Sequence, residues 1–170
     1  MLRRDYLSVG DESDLQGRFS ELLEAYAAPM RRLCAAYAPH AADRDDLFQD
    51  ICFAVWRALP QYRGQASMRT WMYRIAHNVA LTWQSRTRRR ASRETPITAE
   101  MTATEPSQVR RLALVRAVAA LPPMDRALTL LWLEGLTAHE IEDVTGLRSA
   151  TVTVRLSRIR KQLQPEEITR

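Results

Sequence analysis

Arginine is concentrated in one stretch of this 170-residue sequence that contains no acidic residue. Residues 51–93 hold nine arginines and no Asp or Glu, although the net charge of the whole chain is only +5. Of the 25 basic residues, 24 are arginine, whose planar guanidinium binds phosphate or guanine through paired hydrogen bonds. The stretch therefore predicts an anion-binding surface. A merely solubilising surface is the simpler alternative.

The charge of the rest of the chain alternates in blocks. Residues 1–50 carry a net charge of −4, residues 94–107 hold three Glu and no basic residue, and residues 108–164 carry +4. The acidic block between the two basic ones is rich in Thr and Pro and has no sustained apolar period, as in a linker. We therefore expect a flexible linker over residues 91–106.

This linker divides the chain into two small domains, at residues 15–90 and 107–164. Apolar residues recur at helical spacing in both, and no segment alternates with the period of two that strands require. The predicted fold class is all-α, with two small helical domains. In the first domain the spacing predicts helices over Phe19–Tyr37, Asp43–Leu59 and Ser67–Arg86, with Asp43 and Ser67 as N-caps.

The second predicted helix has a polar face with an aromatic residue at its centre. Its members are Asp46, Gln49, Asp50, Phe53 and Arg57. Another helix covering Phe53 would explain this aromatic, and so would a partner-docking strip with an apolar centre and a charged rim. Periodicity alone favours neither explanation.

The third predicted helix presents a face without acids. That face holds Arg69, Tyr73, Arg74, His77, Asn78 and Gln84. Such a mixture of cations, amides and aromatics suits contacts to phosphate and stacking on unpaired bases. Trp71 and Trp83 are better explained as core residues than as base-stacking residues.

The C-terminal domain carries the pattern of a helix-turn-helix. Helices are predicted over Ser107–Leu121 and Asp125–Glu134. Thr137 and Glu140 then form a capping box that opens a short helix ending at Gly146, and Ser149 caps the last helix. A short helix, a turn and a longer helix favour DNA binding over an unrelated helical hairpin.

Several classes of function find no support in the sequence. Cys34 and Cys52 fall at core spacing and predict buried, inert thiols rather than a disulfide scaffold. The three histidines are scattered, so no metal site is expected. No nucleotide-binding glycine loop or nucleophile motif occurs, and we expect neither a cofactor nor enzymatic activity. Without a membrane span or a secretion signal, the expected location is the cytoplasm.

Two groups of motifs resemble the extracytoplasmic-function (ECF) sigma factors. Region two of that family resembles Asp46-Leu47-Phe48-Gln49-Asp50, Val55-Trp56-Arg57-Ala58-Leu59, Tyr62-Arg63-Gly64 and the run from Arg69 to Asn78. Region four resembles Leu121-Pro122, Gly135-Leu136-Thr137, Glu140-Ile141, Thr145-Gly146, Ala150-Thr151-Val152 and the run from Arg155 to Arg160. The match extends over about 130 residues, in the family's order.

The resemblance implies a protein that binds bacterial RNA polymerase core and directs it to promoters. It implies docking on the β′ clamp helices through Asp46, Gln49, Asp50, Phe53 and Arg57, with the β flap as a second contact. It implies minus-ten DNA binding by Tyr62, Arg63, Arg74, His77 and Asn78. It implies minus-thirty-five DNA binding by Arg148, Ser149, Thr151, Val154, Arg155 and Arg158. An anti-sigma factor is the expected regulatory partner.

Two segments depart from the family pattern. Glu142 stands where many relatives have a small residue, and Thr153-Val154 replaces Lys-Ser in the last helix. Both bear on the promoter sequence rather than on the fold. The main alternative function is a stand-alone helix-turn-helix regulator, whose N-terminal domain would serve for dimerisation or sensing. An RNA-binding protein without sequence specificity is a weaker alternative, because it leaves the helix-turn-helix unexplained.

Overall fold

A computed structural model describes the backbone of residues 9–38, 40–91 and 116–163, and most side chains within those ranges. These residues form helices joined by short turns, and the described part of the chain contains no strand. The elements are α1 (Val9–Tyr37), α2 (Ala41–Ala58), a 3-10 turn (Leu59–Gln61), α3 (Met68–Ala91), α4 (described over 116–120), α5 (Pro123–Leu133), α6 (Ala138–Thr145) and α7 (Ser149–Leu163). The all-α prediction is confirmed.

The N-terminal helices α1, α2 and α3 pack on one another through the apolar stripes that the sequence predicts. Leu33, Leu47, Ile51 and Val55 are almost fully buried at the centre of this packing. Side chains spaced three and four residues apart lie on one face of a helix, and hence α1 and α2 each bury a single stripe. The opposite face of α2 is left to solvent.

The ends of the helices differ from the sequence prediction in three places. Helix α1 begins ten residues earlier than predicted, at Val9. Helix α2 has His40 at its N-cap, without a capping side chain, so the assignment of this role to Asp43 was wrong. Helix α3 ends at Ala91, five residues beyond the predicted Arg86. Its predicted N-cap is confirmed, because the Ser67 hydroxyl accepts a hydrogen bond from the Thr70 backbone N–H at 3.1 Å.

The C-terminal helices α5, α6 and α7 form the helix-turn-helix. The capping box of α6 is present, with the Thr137 hydroxyl accepting from the Glu140 N–H and the Glu140 carboxylate accepting from the Thr137 N–H. Gly146 ends α6 with φ +73°, a conformation that costs a residue with a Cβ about 1–2 kcal/mol. Local signals in the sequence therefore determine where α6 begins and ends. Ala91, the first residue of the predicted linker, ends α3. The rest of the predicted linker and most of the helix predicted before Leu121 lie outside the described residues.

The two groups of helices pack against each other and share one apolar core. Helix α1 packs on α5, and α3 packs on α6. Leu121, Leu128, Leu131 and Leu136 are buried in the same cluster as Leu33 and the other N-terminal core residues. The described residues thus form a closed arrangement, in which a large part of α3 is covered.

Candidate nucleic-acid and protein interfaces

The polar strip on α2 faces solvent around an exposed phenylalanine. Phe53 is 63% exposed, so the explanation that another helix covers it is wrong for the described residues. Asp46, Gln49, Asp50 and Arg57 are exposed beside it. The Arg57 guanidinium lies 5.6 Å from the centre of the Phe53 ring, close enough for a cation–π attraction. An isolated aromatic with a charged rim has the composition of a protein-binding hot spot.

An open groove joins this strip to α3. The groove has a volume of about 450 Å³ and is lined on the α2 side by Asp50 and Phe53. On the α3 side it is lined by Asn78, Val79, Thr82, Trp83 and Arg86. The structure therefore brings together Asp50, which was expected to contact the polymerase, and Asn78, which was expected to contact the minus-ten DNA.

The turn between α2 and α3 is held by its own hydrogen bonds. The Tyr62 hydroxyl donates to the Ala66 carbonyl at 2.7 Å, and its ring lies 5.1 Å from the ring of Trp71. The exposed Arg63 donates from Nη1 to the Pro60 carbonyl at 2.9 Å, and Gly64 has φ +73°. Both predicted contact residues of this turn are thus ordered before any ligand binds.

Helix α3 presents a narrower outward face than the sequence predicts. Asn78 is exposed and Arg74 is half-buried, as expected of outward residues. Tyr73 and His77 are each 1% exposed, so the expectation that they point outward was wrong. The reason is that α3 is covered on two sides, by the N-terminal helices and by α6. In this arrangement His77 offers DNA no accessible atom.

His77 instead forms a buried pair with Tyr37 of α1. The Tyr37 hydroxyl lies 2.5 Å from Nδ1 of His77. Burial lowers the pKa of His77 to about 4 and raises the pKa of Tyr37. With both groups neutral, one hydrogen bond joins the Tyr37 oxygen and Nδ1 of His77, and the buried Nε2 has no hydrogen-bond partner among the described residues. This pair stabilises the α1–α3 contact.

The last helix, α7, has an exposed face of the type that enters a DNA groove. Val154 is 50% exposed, and Thr151, Arg158 and Arg148 are exposed around it. Val152, Leu156 and Ile159 are buried on the opposite side. Four of the six residues predicted to contact the minus-thirty-five element therefore share one accessible surface.

Ser149 does not cap α7, in contrast to the sequence prediction, because it lies inside the first turn. Its backbone N–H donates to the Glu142 carboxylate at 2.9 Å, and this contact lowers the pKa of Glu142. A carboxylate at the N-terminus of a helix is stabilised by the helix dipole. Glu142, the departure from the family pattern, thus supplies the cap from the preceding helix.

The remaining predicted base contact, Arg155, is held by a residue that the sequence analysis did not select. Its Nε lies 3.0 Å from Oδ1 of Asp125 on α5. The Arg155 side chain is 35% exposed and that of Asp125 is 19% exposed. Because this pair joins positions 30 residues apart, no local sequence signal could have indicated it.

A second apolar surface on the C-terminal helices was also missed. Trp132 and Leu133, at the end of α5, are 41% and 61% exposed. Arg160 of α7 lies 5.4 Å from the Trp132 ring, and a groove of about 610 Å³ runs between α5 and α7 beside this pair. In the sequence, the consecutive large apolar residues Trp132 and Leu133 at the end of α5 could have indicated this surface.

Burial keeps both cysteines in the thiol form. Cys34 is fully buried, and burial raises its pKa to about 12. Cys52 is half-buried, with its pKa also raised by burial. Among the described residues, no three His, Cys, Asp or Glu side chains are grouped as metal ligands. In the same residues no helix is long and apolar enough to cross a membrane.

The helix order and the helix-turn-helix define an all-α protein of the DNA-binding class. Residues 22–90 match the family model Sigma-70 region 2, and residues 111–163 match the family model Sigma-70, region 4. Together the two models cover more than half of the chain. The chain therefore belongs to the sigma-70 family, and it is an ECF sigma factor.

Characterised relatives and solved structures agree with this assignment. The chain is 30% identical over 180 residues to the ECF RNA polymerase sigma factor SigG of Mycobacterium tuberculosis, and it covers 48% of that protein. It is 29% identical over 169 residues to the ECF RNA polymerase sigma-E factor of Escherichia coli, covering 85% of it. The chain thus spans about half the length of SigG and most of the length of sigma-E.

Two solved structures share the fold at low sequence identity. The sigma factor RpoE of Bartonella quintana, solved with the anti-sigma factor NepR, superposes with a TM-score of 0.71 and 19% identity, over 86% of this chain and 94% of that chain. CnrH, solved with the cytosolic domain of CnrY, superposes with a TM-score of 0.63 and 19% identity, over 87% and 86% of the two chains.

Proposed function

We propose that this chain is a promoter-specificity subunit that binds bacterial RNA polymerase core and directs initiation at promoters with minus-ten and minus-thirty-five elements. The observation that carries the proposal is Phe53, an exposed aromatic at the centre of a polar strip. An aromatic side chain at the centre of a polar and charged rim has the composition of a protein-docking surface. A stand-alone regulator with a sensing domain does not need such a strip beside an acid-free helix.

In this proposal the α2 strip docks on the β′ clamp helices. Asp50 lies at the border of the α2–α3 groove, and Asn78 lies at its other border. The polymerase and the opened DNA strand would therefore meet along one continuous surface. Arg63 and Arg74 supply cations beside it, and Tyr62 supplies an aromatic ring near the turn. Unstacking a base costs a few kcal/mol, which these contacts and the docked polymerase would offset.

The helix-turn-helix reads the minus-thirty-five element in the major groove. Thr151 and Val154 present methyl groups that can contact thymine, and Arg155 can form paired hydrogen bonds to guanine. Arg148 and Arg158 are exposed and would contact phosphate. Because Ser149 is half-buried in the first turn and its N–H is bound to Glu142, its hydroxyl is the remaining group for DNA.

The chemistry of initiation belongs to the polymerase in this proposal, and the chain itself is not an enzyme and acts in the cytoplasm. The anti-sigma factor is proposed by analogy with the solved complex of RpoE and NepR. The exposed surface of Trp132 and Leu133 is available for the β flap or for such a regulator.

The test is a run-off transcription assay with purified core polymerase on a genomic promoter library, with and without this protein. Core-dependent transcripts with shared sequence elements upstream of their start sites support the proposal. Their absence, together with tight binding of promoter duplex by the protein alone, identifies the stand-alone regulator instead.

A further inference from the structure

A carboxylate from the neighbouring helix lies at the N-terminus of α7. Oε2 of Glu142, on α6, accepts a hydrogen bond from the Ser149 backbone N–H at 2.9 Å. Nδ1 of His139, one turn earlier on α6, lies 3.8 Å from the same oxygen. The Glu142 side chain is half-buried, and its charge is therefore accessible from the surface that carries the start of α7.

This carboxylate alters the charge of a surface that is expected to meet DNA. The Ser149 N–H holds the pKa of Glu142 below its ordinary value, and the charges of His139 and Arg148 add to the effect. Arg148 is exposed immediately before α7 and is a predicted DNA contact. Residues 148–163 contain no acid. Glu142 thus brings a negative charge to the start of a helix whose own residues include none.

A helix N-terminus without such a carboxylate favours phosphate. The first backbone N–H groups of a helix have no intrahelical partners, and together with the helix dipole they bind phosphate oxygens. A DNA phosphate at this end of α7 would compete with Glu142 for the Ser149 N–H, and the two negative charges would repel each other. Helix α7 therefore offers DNA its side chains rather than its N-terminus.

We propose that Glu142 is a specificity-determining residue, whose carboxylate keeps DNA phosphate away from the N-terminus of α7. This role rests on the proposed reading of the minus-thirty-five element by α7. On a duplex of unrelated sequence no base contact fixes the position of α7, so the helix is free to shift until its N-terminus meets a phosphate. Glu142 penalises that sequence-independent contact. On the native element, base contacts by Thr151, Val154 and Arg155 fix the position of α7, and the penalty is smaller.

The experiment removes the charge of Glu142 and keeps its hydrogen bond. Glu142→Gln retains a side-chain oxygen that accepts from the Ser149 N–H, whereas Glu142→Ala removes the charge and the cap together. Asp143→Asn is the matched control, because Asp143 is an exposed acid at the next position of α6 and its replacement changes the net charge equally. Each full-length protein is titrated with a duplex that carries the minus-thirty-five element recovered in the run-off assay, and with a scrambled duplex of the same composition. Both titrations are repeated over a series of salt concentrations.

We expect Glu142→Gln to bind the scrambled duplex about threefold or more tightly than the wild type does, and the native element less than about twofold more tightly. The salt dependence of binding to the scrambled duplex should steepen by about one phosphate contact. Glu142→Ala should shift both affinities in the same direction, and Asp143→Asn should match the wild type.

Three results would overturn the role of Glu142. The first is unchanged or weaker binding of the scrambled duplex by Glu142→Gln, which would leave Glu142 as a structural cap. The second is an equal gain on both duplexes, and the third is the same gain for Asp143→Asn, since either would reflect net charge alone. If the wild-type protein does not distinguish the native element from the scrambled duplex, the proposed function of α7 is contradicted instead.

Discussion

Arg155 of α7 forms an ion pair with Asp125, which lies on a different helix, α5. The Arg155 Nε and the Asp125 Oδ1 are 3.0 Å apart. The Asp125 Oδ1 accepts no hydrogen bond from the described residues, so the contact is an ion pair and leaves all five N–H donors of the guanidinium available. The charge attraction to the carboxylate thus restrains the Arg155 side chain before DNA is bound, which lowers the entropic cost of a paired contact to guanine.

We therefore expect Arg155→Ala to weaken binding to the minus-thirty-five element by about 1–3 kcal/mol. Asp125→Ala should remove part of the same preference, because the fork is then free to rotate. The measurement is the affinity of each variant for the native element and for a scrambled duplex at one salt concentration.

Arg158→Ala serves as the comparison for this series. Arg158 is exposed one turn further along α7, where a phosphate contact is expected. Removing its side chain should lower the affinity for the native element and for the scrambled duplex equally. If Arg155→Ala lowers the affinity for both duplexes equally, Arg155 contacts phosphate as well and not a base.

Phe53 should be important for docking and nearly neutral for stability. With 63% of the residue exposed, Phe53→Ala removes few intramolecular contacts, and we expect the free energy of unfolding to change by about 0.5 kcal/mol or less. Removing the apolar centre of a docking strip should nonetheless weaken core binding by about 2 kcal/mol or more. Denaturant titration and equilibrium binding to core polymerase measure the two quantities.

Charge reversal at Asp50 tests the rim of the same strip. Asp50→Arg should abolish core binding and leave the fold intact. Glu24→Arg, on an exposed position of α1, provides the same change of charge outside the strip. If Asp50→Arg binds core polymerase as tightly as Glu24→Arg, the α2 strip is not the docking surface.

The elements of the helix-turn-helix could be predicted from sequence because their signals are local. Thr137, Glu140 and Gly146 lie within ten residues and determine where α6 begins and ends. The start of α1 was missed because residues 9–18 are mostly polar and show no apolar stripe, although Leu15 is buried there.

The errors on α3 have a different origin. Periodicity separates an apolar face from a polar one, but it does not indicate how many neighbours cover a helix. Tyr73 and His77 are amphipathic enough to be interpreted as an outward face, but His77 packs on Tyr37 of α1 and Tyr73 lies beside Glu134 at the end of α5. The contact between Arg32 and Glu134 spans 102 positions, and no pattern within one domain encodes it.

His77 should make the stability of the protein depend on pH. Its pKa is about 4 in the folded protein because of burial, against an ordinary value of 6.5. Between these values the unfolded chain binds a proton that the folded protein does not bind. Folding is therefore fully stabilised above pH 6.5 and loses stability as the pH falls towards 4, by on the order of 3 kcal/mol.

Chemical denaturation at pH 7, 5.5 and 4.5 measures this dependence. His77→Gln keeps a hydrogen-bond partner for the Tyr37 hydroxyl and removes the titrating group. The free energy of unfolding of this variant should therefore fall less over this pH range than that of the wild type. His40→Gln, at an exposed position, should keep the wild-type dependence. If the free energy of unfolding falls equally with pH in the wild type and in His77→Gln, His77 is not buried in its neutral form.

Two glycines should respond in opposite directions to the same substitution. Gly146 has φ +73°, and a Cβ added there would meet nothing within 4 Å. The cost of Gly146→Ala is thus conformational, about 1–2 kcal/mol, and should appear as lower stability with unchanged core packing. Gly17 lies inside α1, also with nothing within 4 Å, and Gly17→Ala should stabilise the protein by about 0.5–1 kcal/mol. Thermal unfolding of the two variants beside the wild type measures both effects. A stabilising Gly146→Ala would mean that α6 does not end in the left-handed turn that positions α7 for DNA.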